Sequence, residues 1–417
     1  GSEACITNVI RICLRYANME TLEHGYAISL LPLVSFAIDV YGDDPCDLFV
    51  PRPAGDEDYT DDELRLMAQM HKAITIIQLK LEAQIIRRRP HFGMKDRLLL
   101  DKINHDDGTV SISGTLYPLL DVHFPTVNAD EPYALTAREE SVIEKLILSF
   151  TGSRRLQEHV CFLFSKGSIY LVHNGNLLYH GCVPMNEDGT FRPFHVDGET
   201  YSARRFMDRV DLLARQGCFA TDAPEQKKYG MDAMWYLWQG SQSPLFGKDK
   251  MATFERYFIA DTATHEEKRD PYYDLRGRED VTRRILEAFG VDPDEGHIIN
   301  GHVPVRVKQG ESPIKASGRL IVIDGGFSKA YQGRTGIAGY TLVYNSWGLL
   351  LATHHALAST QRAIEDELDT DPQMEIVESN DVRIRVEDTD RGQDIRREID
   401  DLQALLRAYR AGLIKEE

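Results

Sequence analysis

Hydrophobic positions recur at three- and four-residue steps along two stretches of this chain, and each stretch predicts an amphipathic helix. Over residues 4–18, Ile6, Val9, Ile10, Cys13 and Leu14 share one helical face, with Arg11 and Arg15 opposite. From Thr60 a Thr-x-x-Glu capping box, Thr60 to Glu63, opens a longer helix that Pro90 stops. Its stripe of Met67, Met70, Ile74, Ile77, Leu81 and Ile85 suits a core face or an oligomer contact. Arg87-Arg88-Arg89 reads as a solvated basic last turn that complements the helix dipole. Further helices are predicted over 140–150, 200–218 and 395–413, the last with a charged surface. Trp235 and Trp238, three residues apart, predict buried aromatic packing on one helix face.

Other stretches carry strand patterns. Residues 109–128 alternate weakly, as a strand pair would, and Val160 to Phe164 reads as the start of a sheet. Ile169 to Val172 and Leu177 to Tyr179 flank Asn174-Gly175, a strong hairpin signal. His297 to Asn300 is a strand that runs into Gly301-His302. Arg319 to Ile323 is a buried strand that ends in Asp324-Gly325-Gly326. Gly339 to Asn345 and Leu349 to His354 predict a hairpin that closes this sheet, and residues 375–386 a later strand. The result is an α+β chain in five regions: 1–150 mainly helical, 151–190 sheet, 191–295 a helical insertion over the site, 296–360 sheet, and 361–417 a strand and helix.

Composition narrows the functions. With 417 residues, 42% of them hydrophobic, the chain can bury a sizeable core. A net charge of −18 argues against nucleic acid or an anionic membrane as the main partner. No apolar run approaches about 18 residues, and no signal peptide is read. The six cysteines are scattered with no C-x-x-C pair, which fits a reducing, cytoplasmic setting. Gly333, Gly336 and Gly339 lack the dinucleotide spacing and following helix, and the neighbours His354 and His355 would point to opposite faces of a strand.

Two histidines draw the chemistry together. His180 and His302 each follow a strand end beside glycine, an arrangement that suits a metal site assembled from loops at one sheet edge. The same residues equally suit capped turns. Lys315, Arg319, Lys329 and Arg334 cluster in sequence around the Gly-rich loop, where cations could meet phosphate or simply be solvated. His173 and Asn174 read first as turn formers.

Tyr179-His180-Gly181-Cys182, Asn300-Gly301-His302-Val303-Pro304 and Val322 to Lys329 resemble the calcineurin-like metallophosphoesterases. Together with ACITNVIRICLRYAN, SPLFGKDKMATFERYF and GIAGYTLVYNS, nearly the whole chain resembles the class III fructose-1,6-bisphosphatases of bacteria. The resemblance implies a β-sandwich flanked by helices, with a two-metal manganese site in which His180 and His302 are the two late ligands. It also implies a sugar bisphosphate substrate, a role in gluconeogenesis and a cytoplasmic location.

That superfamily also uses an Asp-x-His strand end, a Gly-Asp-x-x-Asp-Arg turn and a Gly-Asn-His turn. The last two are missing here. Asp121-Val122-His123 matches the first only by coincidence, and Gly55-Asp56-Glu57-Asp58 reads as an acidic loop. The chain is therefore expected to be the C-terminal two-thirds of such an enzyme, to expose apolar edges and to form a homo-oligomer. The alternative is a non-catalytic remnant that folds and assembles, or another phosphatase of the superfamily.

Overall fold

Residues 1–53, 58–196, 198–324, 336–337, 339–355 and 372–414 are described by a computed structural model. They fall in two units, Gly1–Ile169 with Val183–Pro271, and Tyr170–Cys182 with Tyr272–Glu417. Both mix helix and strand, so the chain is α+β.

The first unit opens with α1 (Ser2–Arg15), α2 (Leu31–Tyr41) and α3 (Asp61–Arg88). A small antiparallel sheet follows, of β1 (Ile103–Asn104), β2 (Thr109–Ile112) and β3 (Thr115–Pro118), then α4 (Ala137–Gly152) and α5 (Arg154–Lys166). After β4 (Tyr170–His173) and β5 (Asn176–Tyr179) of the second unit, the chain returns for β6 (Phe194–Val196), β7 (Glu199–Tyr201), α6 (Ala203–Phe219), α7 (Pro224–Gln239) and α8 (Thr253–Phe258). The second unit then takes α9 (Tyr272–Leu275), α10 (Glu279–Phe289), β8 (His297–Asn300), β9 (Ile314–Lys315) and β10 (Leu320–Val322). It ends with β11 (Gly339–Asn345), β12 (Gly348–His354), β13 (Gln373–Ser379) and α11 (Asp390–Arg410).

The capping box at Thr60 and Glu63 is formed, and α3 becomes the centre of the first unit rather than a helix with one apolar stripe. From Met67 to Ile86 nearly every side chain is buried, polar ones included. A buried polar group needs a partner, and most of these find one far along the chain, while Thr75 donates to the His71 carbonyl one turn back. Lys72 bonds Asp44 and Asp121 at 2.6 Å each, and Lys80 bonds Glu139. Glu82 accepts from Gln78, Trp235 and Gln239.

Such partners overturn several local readings. Arg11, expected on the solvent side of α1, is buried with its guanidinium on Gln78, Asn8 and Tyr257, while Val9 is exposed. Arg88 and Arg89 are not a solvated helix end, because both bond the buried carboxylate of Asp232. Trp235 is buried as expected, but Trp238 is exposed.

Val160 to Phe164 is not a strand. It lies within α5, which Ser153 caps by accepting from the Leu156 N–H, and Phe162 and Leu163 are exposed. A short apolar run reads alike in either state, and here the cap and the charged residues before it decide for helix. The hairpin of β11 and β12 forms as predicted, but with β13 it makes a separate three-stranded sheet instead of closing the sheet of β8.

Candidate functional site

The site grows from the five-stranded sheet of the second unit, in the order β4-β5-β8-β10-β9. Asn174 and Gly175 both take positive φ, 48° and 72°, which a two-residue turn matched to strand twist requires. The hairpin lays β5 parallel to β8, and β8 parallel to β10. Leu177, Ile298, Leu320, Ile321 and Val322 are fully buried, as central parallel strands demand. The three parallel strands end together at Tyr179, Asn300 and Val322. His180, Gly301-His302 and Asp324 therefore emerge along one carboxyl edge, the edge where open α/β sheets bind ligands.

The side chain of Asn300 holds that edge together. It is 1% exposed, and its Nδ2 donates to the carbonyls of Tyr179, His180 and Gly181 at 3.3, 3.1 and 2.7 Å. Its Oδ1 accepts from Arg276 at 2.7 Å. The Gly301 N–H donates to the His180 carbonyl at 3.1 Å, so the His180 backbone is tied to the residue before His302. A Cβ at position 301 would sit 3.3 Å from His180 Nδ1, which is why glycine suits the position.

His302 then turns back at φ 65°, a left-handed value that β-carbons resist. The turn brings its Nδ1 to 3.2 Å from His180 Nε2, with the rings at 83°. The Tyr273 ring stacks on His302 at 6.4 Å between centroids, and the Arg276 guanidinium lies 5.3 Å over Tyr273. Beneath, Tyr179 and Tyr272 join hydroxyls at 2.8 Å, and burial pushes both phenols up, so they stay protonated and position the strand end. The Val305 N–H on the Asp324 carbonyl ties the following loop to the end of β10.

His180 and His302 are thus brought together, with two ring nitrogens converging on one point. Lys315 and Arg319 are not brought to them. Lys315 pairs with Leu320 at the start of β10 and gives its ammonium to Glu311 at 2.8 Å. Glu311 is held below the usual carboxylate range: burial works against ionisation, but hydrogen bonds from Lys315 and the Arg306 N–H outweigh it. Arg319 stands beside His297, at the opposite end of β8 from His302. Lys329 and Arg334 lie outside the described residues. Asn300, Tyr273 and Arg276 escaped the sequence reading as site residues; only Asn300 left a signal, its place before Gly301-His302.

Elsewhere, Asp121 and His123 meet Asp44 and Lys72, and the lysine ammonium occupies the space between the two carboxylates. Among the described residues no three His, Cys, Asp or Glu side chains are grouped to hold a metal. His180 and His302 fit two positions of a coordination sphere and no more.

Against this geometry, the comparisons are specific. Residues 1–411 match the family model for the Firmicute fructose-1,6-bisphosphatases, and the chain belongs to that family. The whole chain is 56% identical to a protein of Alkaliphilus metalliredigens and 54% identical to proteins of Clostridium novyi and Clostridium botulinum, each called fructose-1,6-bisphosphatase class 3. It spans 62–63% of the length of these relatives. No solved structure matches it.

Proposed function

We propose that this chain carries part of the active site of a metal-dependent enzyme that hydrolyses fructose 1,6-bisphosphate to fructose 6-phosphate and phosphate. The observation that supports this most is the convergence of His180 Nε2 and His302 Nδ1 at 3.2 Å on the carboxyl edge of a parallel sheet, in a chain of that family. Hydrolysis of a phosphate monoester needs charge neutralised on the phosphoryl group and a water activated, chemistry that bound manganese would supply. In this reading His180 and His302 hold metal, Asn300 fixes the backbone of both strand ends, and Tyr273 limits the rotation of His302. Lys329 and Arg334, which follow Asp324 in sequence, are assigned to the substrate phosphates, in preference to Lys315 and Arg319.

The calcineurin-like sandwich, a cytoplasmic location and a homo-oligomer belong to the same proposal. All six cysteines are free thiols, as a reducing compartment would leave them. Among the described residues no helix is long and apolar enough to cross a membrane. Support for self-association comes from α11, which carries exposed Ile399, Leu402 and Leu406 at helical spacing.

The test is phosphate release from fructose 1,6-bisphosphate with manganese. It is run on this chain and on a chimera that supplies the remaining part of the Alkaliphilus metalliredigens relative. His180→Ala and His302→Ala should each lower release by the active form roughly 100-fold or more. Full activity in the double variant would sink the assignment. Silence of both the chain and the chimera would favour the non-catalytic reading.

A further inference from the structure

The last helix, α11, is anchored at one end and bare along the rest. Asp390 ties its first turn to the β4–β5 hairpin: the Asp390 N–H donates to Asn174 Oδ1 at 2.9 Å, and its carboxylate accepts from the Asn174 N–H at 2.7 Å. Thr389 caps the helix by accepting from the Gly392 N–H. Of its 21 residues only Gly392 is buried.

Its apolar positions follow a coiled-coil repeat. Ile395, Ile399, Leu402, Leu406 and Tyr409 are separated by steps of four, three, four and three residues. That is the heptad seam, with Ile399 and Leu406 at a, and Ile395, Leu402 and Tyr409 at d. A surface helix turns such a stripe toward its own core, yet from Ile399 onward these side chains, with Leu405 beside them, are between 39% and 64% exposed. We infer that α11 pairs with α11 of a second copy of this chain as an antiparallel two-stranded coiled coil. The inference rests on the homo-oligomer reading above and names its interface.

Two observations choose this occupant and this direction. The first is register. When Leu402 packs on Leu406 of the second copy, Ile399 falls on its Tyr409, and the two-fold axis repeats both pairs, so the seam is complementary to itself. Leu405, at a g position, then meets Leu405 of the second copy. In a parallel pair Leu405 would face Arg410, and Arg391 would face Arg396.

The second is charge. Asp390 to Gln403 carries five acidic side chains and three arginines, whereas Ala404 to Arg410 carries two arginines and no acid. An antiparallel partner sets the acidic part of each helix beside the basic end of the other and opposes the two helix dipoles, while a parallel partner stacks like on like. Arg396, which this register brings toward Arg410 of the second copy, already bonds Glu387 at 3.2 Å.

The test is light scattering on the 417-residue chain from micromolar to submillimolar concentration, where a species of twice the chain mass is expected. Leu402→Lys with Leu406→Lys, both at exposed positions, should leave a monomer with unchanged circular dichroism. Direction is read from disulfides formed with oxidised glutathione. A mixture of the Leu402→Cys and Leu406→Cys chains should cross-link through those two residues, located by peptide mapping, in higher yield than either chain alone. A parent chain that stays monomeric throughout overturns the inference together with the homo-oligomer reading. A dimer that survives the double lysine substitution overturns the inference but leaves that reading standing. Self-linking of either cysteine variant at the yield of the mixture overturns the antiparallel pairing.

Discussion

Asn300 and His180 are joined at the main chain: the carboxamide of one donates to the carbonyl of the other at 3.1 Å, and to the carbonyls on either side of it. Asn300→Ala removes those three bonds and leaves Arg276 facing an empty space. Stability should fall by about 2–4 kcal/mol, as expected when several buried hydrogen bonds are lost together. Phosphate release in the assay proposed above should fall roughly 10- to 100-fold, because the His180 main chain is no longer held. Urea unfolding and phosphate release measure the two separately. An active, stable Asn300→Ala variant would show that the strand end holds without its side chain.

Gly301 lies against the His180 ring. An alanine Cβ there meets His180 Nδ1 at 3.3 Å, which a side chain can yield to, so Gly301→Ala should cost less than about 1 kcal/mol. Gly301→Val has no such latitude and should lower activity far more than Gly301→Ala does. Equal activity in the two variants would mean that the ring is not confined there.

Stability should depend on pH through His71. Arg11 donates to the Tyr257 hydroxyl at 3.3 Å, which sends the hydroxyl proton to His71 Nε2 at 2.8 Å, and the ring's own proton faces the Phe49 carbonyl. Burial pushes this neutral histidine down from 6.5 to about 4. Between those values the unfolded state binds more protons than the folded one. The stabilisation is therefore complete above about pH 6.5 and is lost as pH falls toward 4, by on the order of 3 kcal/mol. His71→Gln should flatten the slope between pH 7 and 4.5 in urea unfolding, and an unchanged slope would assign it to other groups.

Lys80 and Glu139 are both fully buried, with contacts of 2.8 and 3.1 Å, and the ammonium also donates to the Thr126 carbonyl. Lys80→Met strands the carboxylate and should cost about 3–5 kcal/mol. Adding Glu139→Gln should recover a large part of that loss, which shows in the urea midpoint. If the single substitution costs under about 1 kcal/mol, water reaches the pair.

Much of this molecule was legible in its residues, and the legible parts share a range of a few positions. The Asn174-Gly175 turn, the Thr60 cap and the placement of His180 and His302 at strand ends follow from backbone preferences and from hydrogen bonds between near neighbours. Tertiary structure decided the rest. Arg11 turns inward because Gln78 and Tyr257 wait there, and Arg88 is drawn to Asp232 across 144 positions of chain. Arg319 was carried to the far end of β8 once strand order and register were set. Periodicity records which side of an element is apolar, but the partner that makes a buried charge tolerable is chosen only when distant segments meet.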